Sequence, residues 1–278
     1  MTRPEPTPDP RHRDHSGYPG HPDHPDHPDP PRAPAAERTL SSSAYVQDRG
    51  DPDPQVLAAL TRAASQPSTD ADRELMRVVA AARWLVPALT VAVDTELRDG
   101  SRVEGKPEMA TVTLTAPDGR RGLPVFTGVS ALTAWDPKAR PLPVGADLAA
   151  QTAIGEECDT LLIDLGSDHA LALRPSMVWA LAMARPWLPA HEDPEVAAAV
   201  ATVLGNEPTV ARHELSDGEP PASGVLRLTM WLRPGLDATG VEALATRVGE
   251  RLAADGELRA RIDGLSFAVR PAEDSAND

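Results

Sequence analysis

Cysteine is almost missing from this chain. Cys158 stands alone among 278 residues, which excludes an intrachain disulfide and any paired-cysteine zinc or redox motif. Aromatic residues make up only 3%, nine in all, and five of those are Trp. Burial must therefore come mainly from Leu, Val and Ala, which points to helix-rich layers rather than a Tyr- and Phe-rich sandwich. Lysine is reduced to Lys106 and Lys138 among 27 basic residues. Long hydrophobic runs are lacking too. The longest, "WLVPALTVAV" from Trp84 to Val93, is too short to span a bilayer and contains Pro87. The first 35 residues hold eleven prolines and no apolar run, so no signal peptide is expected. The expectation is a cytoplasmic protein.

Acidic residues, by contrast, abound. The net charge is −15, and residues 1–50 carry 6 basic and 8 acidic groups, so almost all of the excess falls on residues 51–278. Such a surface repels phosphate backbones and anionic lipid, which argues against nucleic-acid and membrane partners. The length leaves room for one large domain or two modest ones.

Composition divides the chain. Residues 1–50 are rich in Pro, His, Asp and Ser, bury too little to offset ordering entropy, and are expected to be disordered. From Pro54, "QVLAALTRAA" reads as a helix. "DADRELMRVVAAARWLVP" reads as a second helix carrying Leu75, Val78, Val79, Ala82 and Leu85 at helical spacing and ending before Pro87. A short strand is expected at Leu89–Val93, then a polar loop. "MATVTLTAPDGRRGLPVF" reads as a hairpin turning at "PDG". A short helix at "TGVSALTAW", an extended "RPLPV", a helix at "ADLAAQTAIGEE", two strands in "DTLLIDLGSDHALAL" and a helix at "PSMVWALAMA" follow.

"PWLPAHEDP", residues 186–194, reads as a linker. Beyond it, the pattern predicts a helix, two paired strands, a helix with a capping box at Thr239 and Glu242, and a strand at "LSFAVRP". The expected fold class is mixed α/β of the α+β kind: two small mixed-sheet units with flanking helices, over residues 51–187 and 195–272, behind the tail.

Several stretches together resemble the SseB family, the enhanced-serine-sensitivity proteins. They are "LVP" at 85–87, "GRRGLPVFTGVSALTAW" at 119–135, "RPLPVGADLA" at 141–149 and "DTLLIDLGS" at 159–167. The order matches that family's N-terminal domain, and residues 195–271 resemble its C-terminal domain more weakly. The family usually has Ser after the Phe-Thr pair, whereas here Gly128 follows Thr127. The resemblance implies a mixed α/β cytoplasmic protein with no assigned reaction.

Candidate sites are few. Thr127 and Gly128 sit where a strand turns into a helix, a place that can hold a carboxylate or phosphate but can equally be a helix cap. Asp164, at the end of the "LLI" strand, suits a ligand anchor, or a turn bonding its own backbone. Cys158 lies among acidic neighbours that disfavour a thiolate. No HExxH, GxGxxG, GxSxG or kinase signature is present. The reading therefore leans away from an enzyme and implies no cofactor. It favours a protein-interaction or regulatory module with a protein partner or self-association, and its rival is a small-anion or amino-acid sensor at Thr127 and Gly128. In the tail, "HPDHPDHPDP" favours polyproline II, which sets His21, His24 and His27 about 9 Å apart along one ridge. That spacing permits weak, adventitious divalent-metal binding by neighbouring pairs and builds no closed ligand shell.

Overall fold

The computed structural model describes residues 48–91, 97–98, 101–102 and 108–272. The predicted disordered tail up to residue 47, with His21, His24 and His27, lies outside the described residues, as does most of the polar loop after Val91.

Asp53 caps the first helix, α1 (Pro54–Ser65), by accepting from the Gln55 N–H, with Pro54 preset in the first turn. Ser68 caps α2 (Thr69–Ala81) in the same manner, accepting from Ala71. Here the structure departs from expectation. The helix stops at Ala81, and β1 (Arg83–Val91) begins at once, with Pro87 inside it. Pro87 was expected to end a helix, yet it is a tolerated strand residue.

Backbone parity explains why. Leu85 gives its N–H to Phe126 O and takes the Phe126 N–H in return, both at 2.9 Å. The odd positions of β1 therefore point their backbone groups away from the strand on the other side, β7 (Arg140–Gly145). Pro87 faces Pro141 and Leu85 faces Pro143 across that pairing. All three prolines fall at pairs that have no ladder bond to lose.

The strands β2 (Leu97–Arg98) and β3 (Ser101–Arg102) pair with each other. The expected hairpin at "MATVTLT" is split. β4 (Glu108–Thr111) pairs with β1, and only β5 (Leu114–Thr115) pairs with β6 (Arg121–Val125). After β6 come α3 (Val129–Trp135), β7, α4 (Ala146–Gly155), β8 (Thr160–Ile163), β9 (Leu171–Leu173) and α5 (Pro175–Ala182). One sheet runs β4-β1-β7, all antiparallel, and a mixed sheet runs β5-β6-β8-β9. Leu123, Val125, Leu161 and Ile163 turn one face of the mixed sheet toward the helices. Ala149, Ala150 and Ala153 of α4 are fully buried against them, since small side chains allow close helix approach. Each fully buried Val, Leu or Ile here is worth about 1.5–3 kcal/mol relative to exposure.

The chain continues through α6 (Pro194–Leu204), β10 (Val210–Asp217), β11 (Val225–Leu232), α7 (Ala238–Ala254), α8 (Gly256–Arg261) and β12 (Gly264–Pro271). The cap of α7 is Asp237, whose side chain accepts from Gly240, rather than the expected Thr239. The sheet runs β10-β11-β12, antiparallel then parallel. Leu226, Leu228, Met230 and Leu232 bury one face of it under α6, α7 and α8. The architecture is mixed α+β, and no helix among the described residues is long and apolar enough to cross a membrane.

In the last half, Glu207 is buried beneath α7 and accepts from Arg247 at 2.8 Å and Arg251 at 3.0 Å. The Arg247 hydrogen bond holds its carboxyl below the usual glutamate value, against the opposing push of burial. A depressed folded-state value contributes stability that is present above the unfolded value of about 4.3 and lost as pH falls through the folded one. Glu207→Gln should therefore be less stable than the parent at pH 7. Urea titrations stepped from pH 7 to pH 3 should show that difference shrinking on the acid side.

Candidate functional site

The ends of β6 and β8 bring two of the sequence candidates together. Thr127 donates its N–H to Asp164 Oδ1 at 2.8 Å and its hydroxyl to Oδ2 at 2.6 Å. Both residues are buried. Asp164 itself turns the chain at φ +46, in the left-handed region that Asp tolerates better than most residues. Its own N–H bonds Val125 O, which continues the β6–β8 pairing past the strand end. Each carboxylate oxygen thus already accepts a bond from Thr127.

Gly128 precedes α3, and residues 50–52 lie over that helix start. The Val129 N–H donates to Gly50 O at 2.8 Å. A side chain at Gly128 would meet Pro52 and Gly50 at about 3 Å, so glycine is needed for this close approach. Arg83 fixes the same segment, donating to Thr127 O and Asp51 O and pairing with Asp48. Trp135 does not join the Thr127–Asp164 pair. Its ring packs on Phe126, with centroids 5.4 Å apart, in a small cluster with Leu85, Leu132 and Ala139.

A denser polar cluster was not read from the sequence. Arg174, just before α5, donates to Asp263 at 3.0 Å, to Asp72 at 2.9 Å and to Ala222 O at 2.9 Å. Asp263 also accepts from the Ser176 N–H and hydroxyl, both at 2.8 Å, and Trp187 donates to that hydroxyl. Burial pushes the Asp72 carboxyl above its usual value, partly offset by the Arg174 charge. Gly224 passes so close, at φ +80, that a Cβ there would overlap the Asp263 carboxylate. The cluster ties α2, the start of α5 and the turns before β11 and β12 into one knot. Its one guanidinium bridges both carboxylates, which suits a structural joint more than a reaction centre.

Beside the knot runs a groove of about 730 Å³. Its floor is Met76 and Ala80 of α2 with Leu181, Pro186, Trp187 and Leu188. Glu74, Arg77, Asp147 and Arg185 stand on its rim. Arg73 makes a two-pronged pair with Glu192, at 3.0 and 2.8 Å, which pins the segment after the groove to α2. That volume lies within the range of ordinary ligand sites. The sequence did contain a signal for it. Trp187 and Leu188 stand in a stretch read as a linker, where a solvated connector has no use for two large apolar residues.

Cys158 and His169 have local explanations. Cys158 is buried, and burial pushes its thiol up, away from a reactive thiolate. His169 Nδ1 lies 3.1 Å from the Thr61 hydroxyl. Among the described residues, no group of three or more His, Cys, Asp or Glu side chains is placed to hold a metal ion.

These features define a class: a mixed α+β protein whose polar clusters join its elements and which carries an apolar groove beside one of them. Residues 56–180 match the model of the SseB protein N-terminal domain, so the chain carries an SseB domain and that segment belongs to the SseB family. The groove draws on α2 and Asp147 within the matched segment and on residues 181–188 just past it. No curated protein and no solved structure matched the chain.

Proposed function

We propose that this protein works as a protein-interaction module, and that the groove between α2 and residues 181–188 receives a short apolar segment of a partner protein. One observation carries the reading. In a groove of this size the apolar Ala80, Pro186 and Leu188, the last 38% exposed, remain open to solvent although the surrounding polar groups are largely paired. A rim bearing charges of both signs would orient the incoming segment without demanding a charged partner. The rival anion or amino-acid sensor at Thr127 and Gly128 has less support. It would need the Val129 N–H that Gly50 already takes and the Asp164 oxygens that Thr127 already occupies.

The test uses Ala80→Glu and Leu188→Glu, both at exposed positions on the groove. The full chain should retain a partner from a lysate of its native host, and both variants should lose it while unfolding within a few degrees of the parent. A photo-crosslinker at position 80 should then map to an apolar segment of the retained protein. Equal retention by the variants, or a parent that retains nothing, overturns the proposal.

A further inference from the structure

The face of the C-terminal sheet turned away from α6, α7 and α8 has its own chemistry. Strand register places Arg227, Thr229 and Trp231 of β11 on it, with Arg212 from β10 and Arg270 from β12 on either side of Trp231. Arg212 lies flat on the Trp231 ring, its guanidinium carbon 3.6 Å from the centroid, and Arg270 approaches the same ring at 5.8 Å. Among the described residues, none of these three arginines pairs with a carboxylate. Most other arginines of the fold do. Register also puts Glu214 on this face, opposite Thr229, so three guanidinium groups stand against one carboxylate there, a local reversal of sign in a chain of net charge −15.

We infer that this face docks an acidic, extended segment of a partner protein, with Arg212, Arg227 and Arg270 receiving its carboxylates. Stacking on Trp231 uses the face of the Arg212 guanidinium and leaves its edge N–H donors free in a fixed plane, the geometry that pairs with a carboxylate two bonds at a time. Strands lie about 4.8 Å apart, so the Arg212 and Arg270 backbones are separated by about 10 Å, and Arg227 sits about 13 Å along β11 from Trp231. Alternate side chains of an extended segment recur about every 7 Å, so two or three carboxylates can meet the three arginines. The net negative charge does not forbid this, because screening over about 8 Å at physiological salt leaves the nearest charges to decide. Single-stranded nucleic acid fits less well, since it needs an open aromatic face and Arg212 already covers that of Trp231. This surface is separate from the groove, so either can fail without the other.

The test is fluorescence anisotropy at 0.15 M salt with the full chain and three labelled probes: an eight-residue Glu/Asp peptide, the same peptide as Gln/Asn, and a short oligothymidylate. The acidic peptide should bind, and the other two should not. Arg212→Gln, Arg227→Gln and Arg270→Gln combined should weaken it by about tenfold or more, with each single variant intermediate. Circular dichroism and melting of the triple variant should match the parent, as no carboxylate among the described residues pairs with these side chains. Equal binding by the triple variant, or no binding by the parent, overturns the inference. So does tighter binding of the oligothymidylate, which would make the face a nucleic-acid platform. Arginine-dependent self-association in sedimentation without peptide binding would assign the face to a second copy and overturn it as well.

Discussion

Replacing Arg174 with Ala is expected to lower the unfolding free energy by about 3–5 kcal/mol, the cost of stripping the cation from buried ion pairs. The Asp72 and Asp263 side chains are only 10% and 8% exposed, and both carboxylates point at the one guanidinium. Without it they face each other with no cation between them. Ala222 O also loses its donor. Arg174→Lys should recover part of the loss, because an ammonium group supplies charge but cannot span three acceptors in fixed directions. The deficit should also depend on pH. Burial already pushes Asp72 up, and removing Arg174 removes the main opposing pull. A carboxyl whose folded-state value is raised is penalised above that value and relieved as pH falls through it. Urea unfolding at pH 7 and pH 5 should therefore show a smaller gap between parent and Arg174→Ala at pH 5. An unchanged gap would mean that the pair of carboxylates is not the source of the loss.

Asp164→Ala should cost nearly as much, on the order of 3–4 kcal/mol from two stranded donors and a strained backbone. The Thr127 N–H and hydroxyl both lose their acceptor in a site that is closed to water. Alanine must in addition hold the left-handed conformation that Asp164 adopts at φ +46. Asp164→Asn keeps one acceptor and tolerates that conformation, so it should lose clearly less. Thr127→Val, which removes only the hydroxyl, should fall between the parent and Asp164→Ala. If all three variants melt like the parent, the pair is not a latch and its carboxylate is available for other work. Thermal unfolding decides between these outcomes.

The sequence was most legible where a local rule was strong enough. The spacing of Val56, Leu60, Leu75 and Val79 on the first helices, and the alternation of Leu161 with Ile163 on β8, survive into the core. Resemblance to the SseB family was carried by the same stretch that the family model matches, from the first helix to the middle of α5. Legibility failed where a local signal had two structural uses. Pro87 stops helices in general, but the parity set by Leu85 and Phe126 makes it a comfortable strand residue. Thr239 and Glu242 spelled a capping box, yet Asp237 two residues earlier takes the N–H. The Arg174 cluster could not be read at all, because Asp72 stands 102 positions before Arg174 and Asp263 stands 89 after it. The groove was hidden for the same reason, since α2 and residues 181–188 meet only once the chain has folded.

The proline pairing of β1 and β7 has a further effect, at the border of the sheet. β7 is an outer strand. Because Pro141 and Pro143 occupy the positions whose backbone points outward, that border shows carbonyl oxygens where a neighbouring chain would look for amide hydrogens. A foreign strand can add to an open border only by both giving and taking bonds. Two prolines at alternate positions leave it half a template, and the border resists edge-to-edge aggregation by its backbone alone.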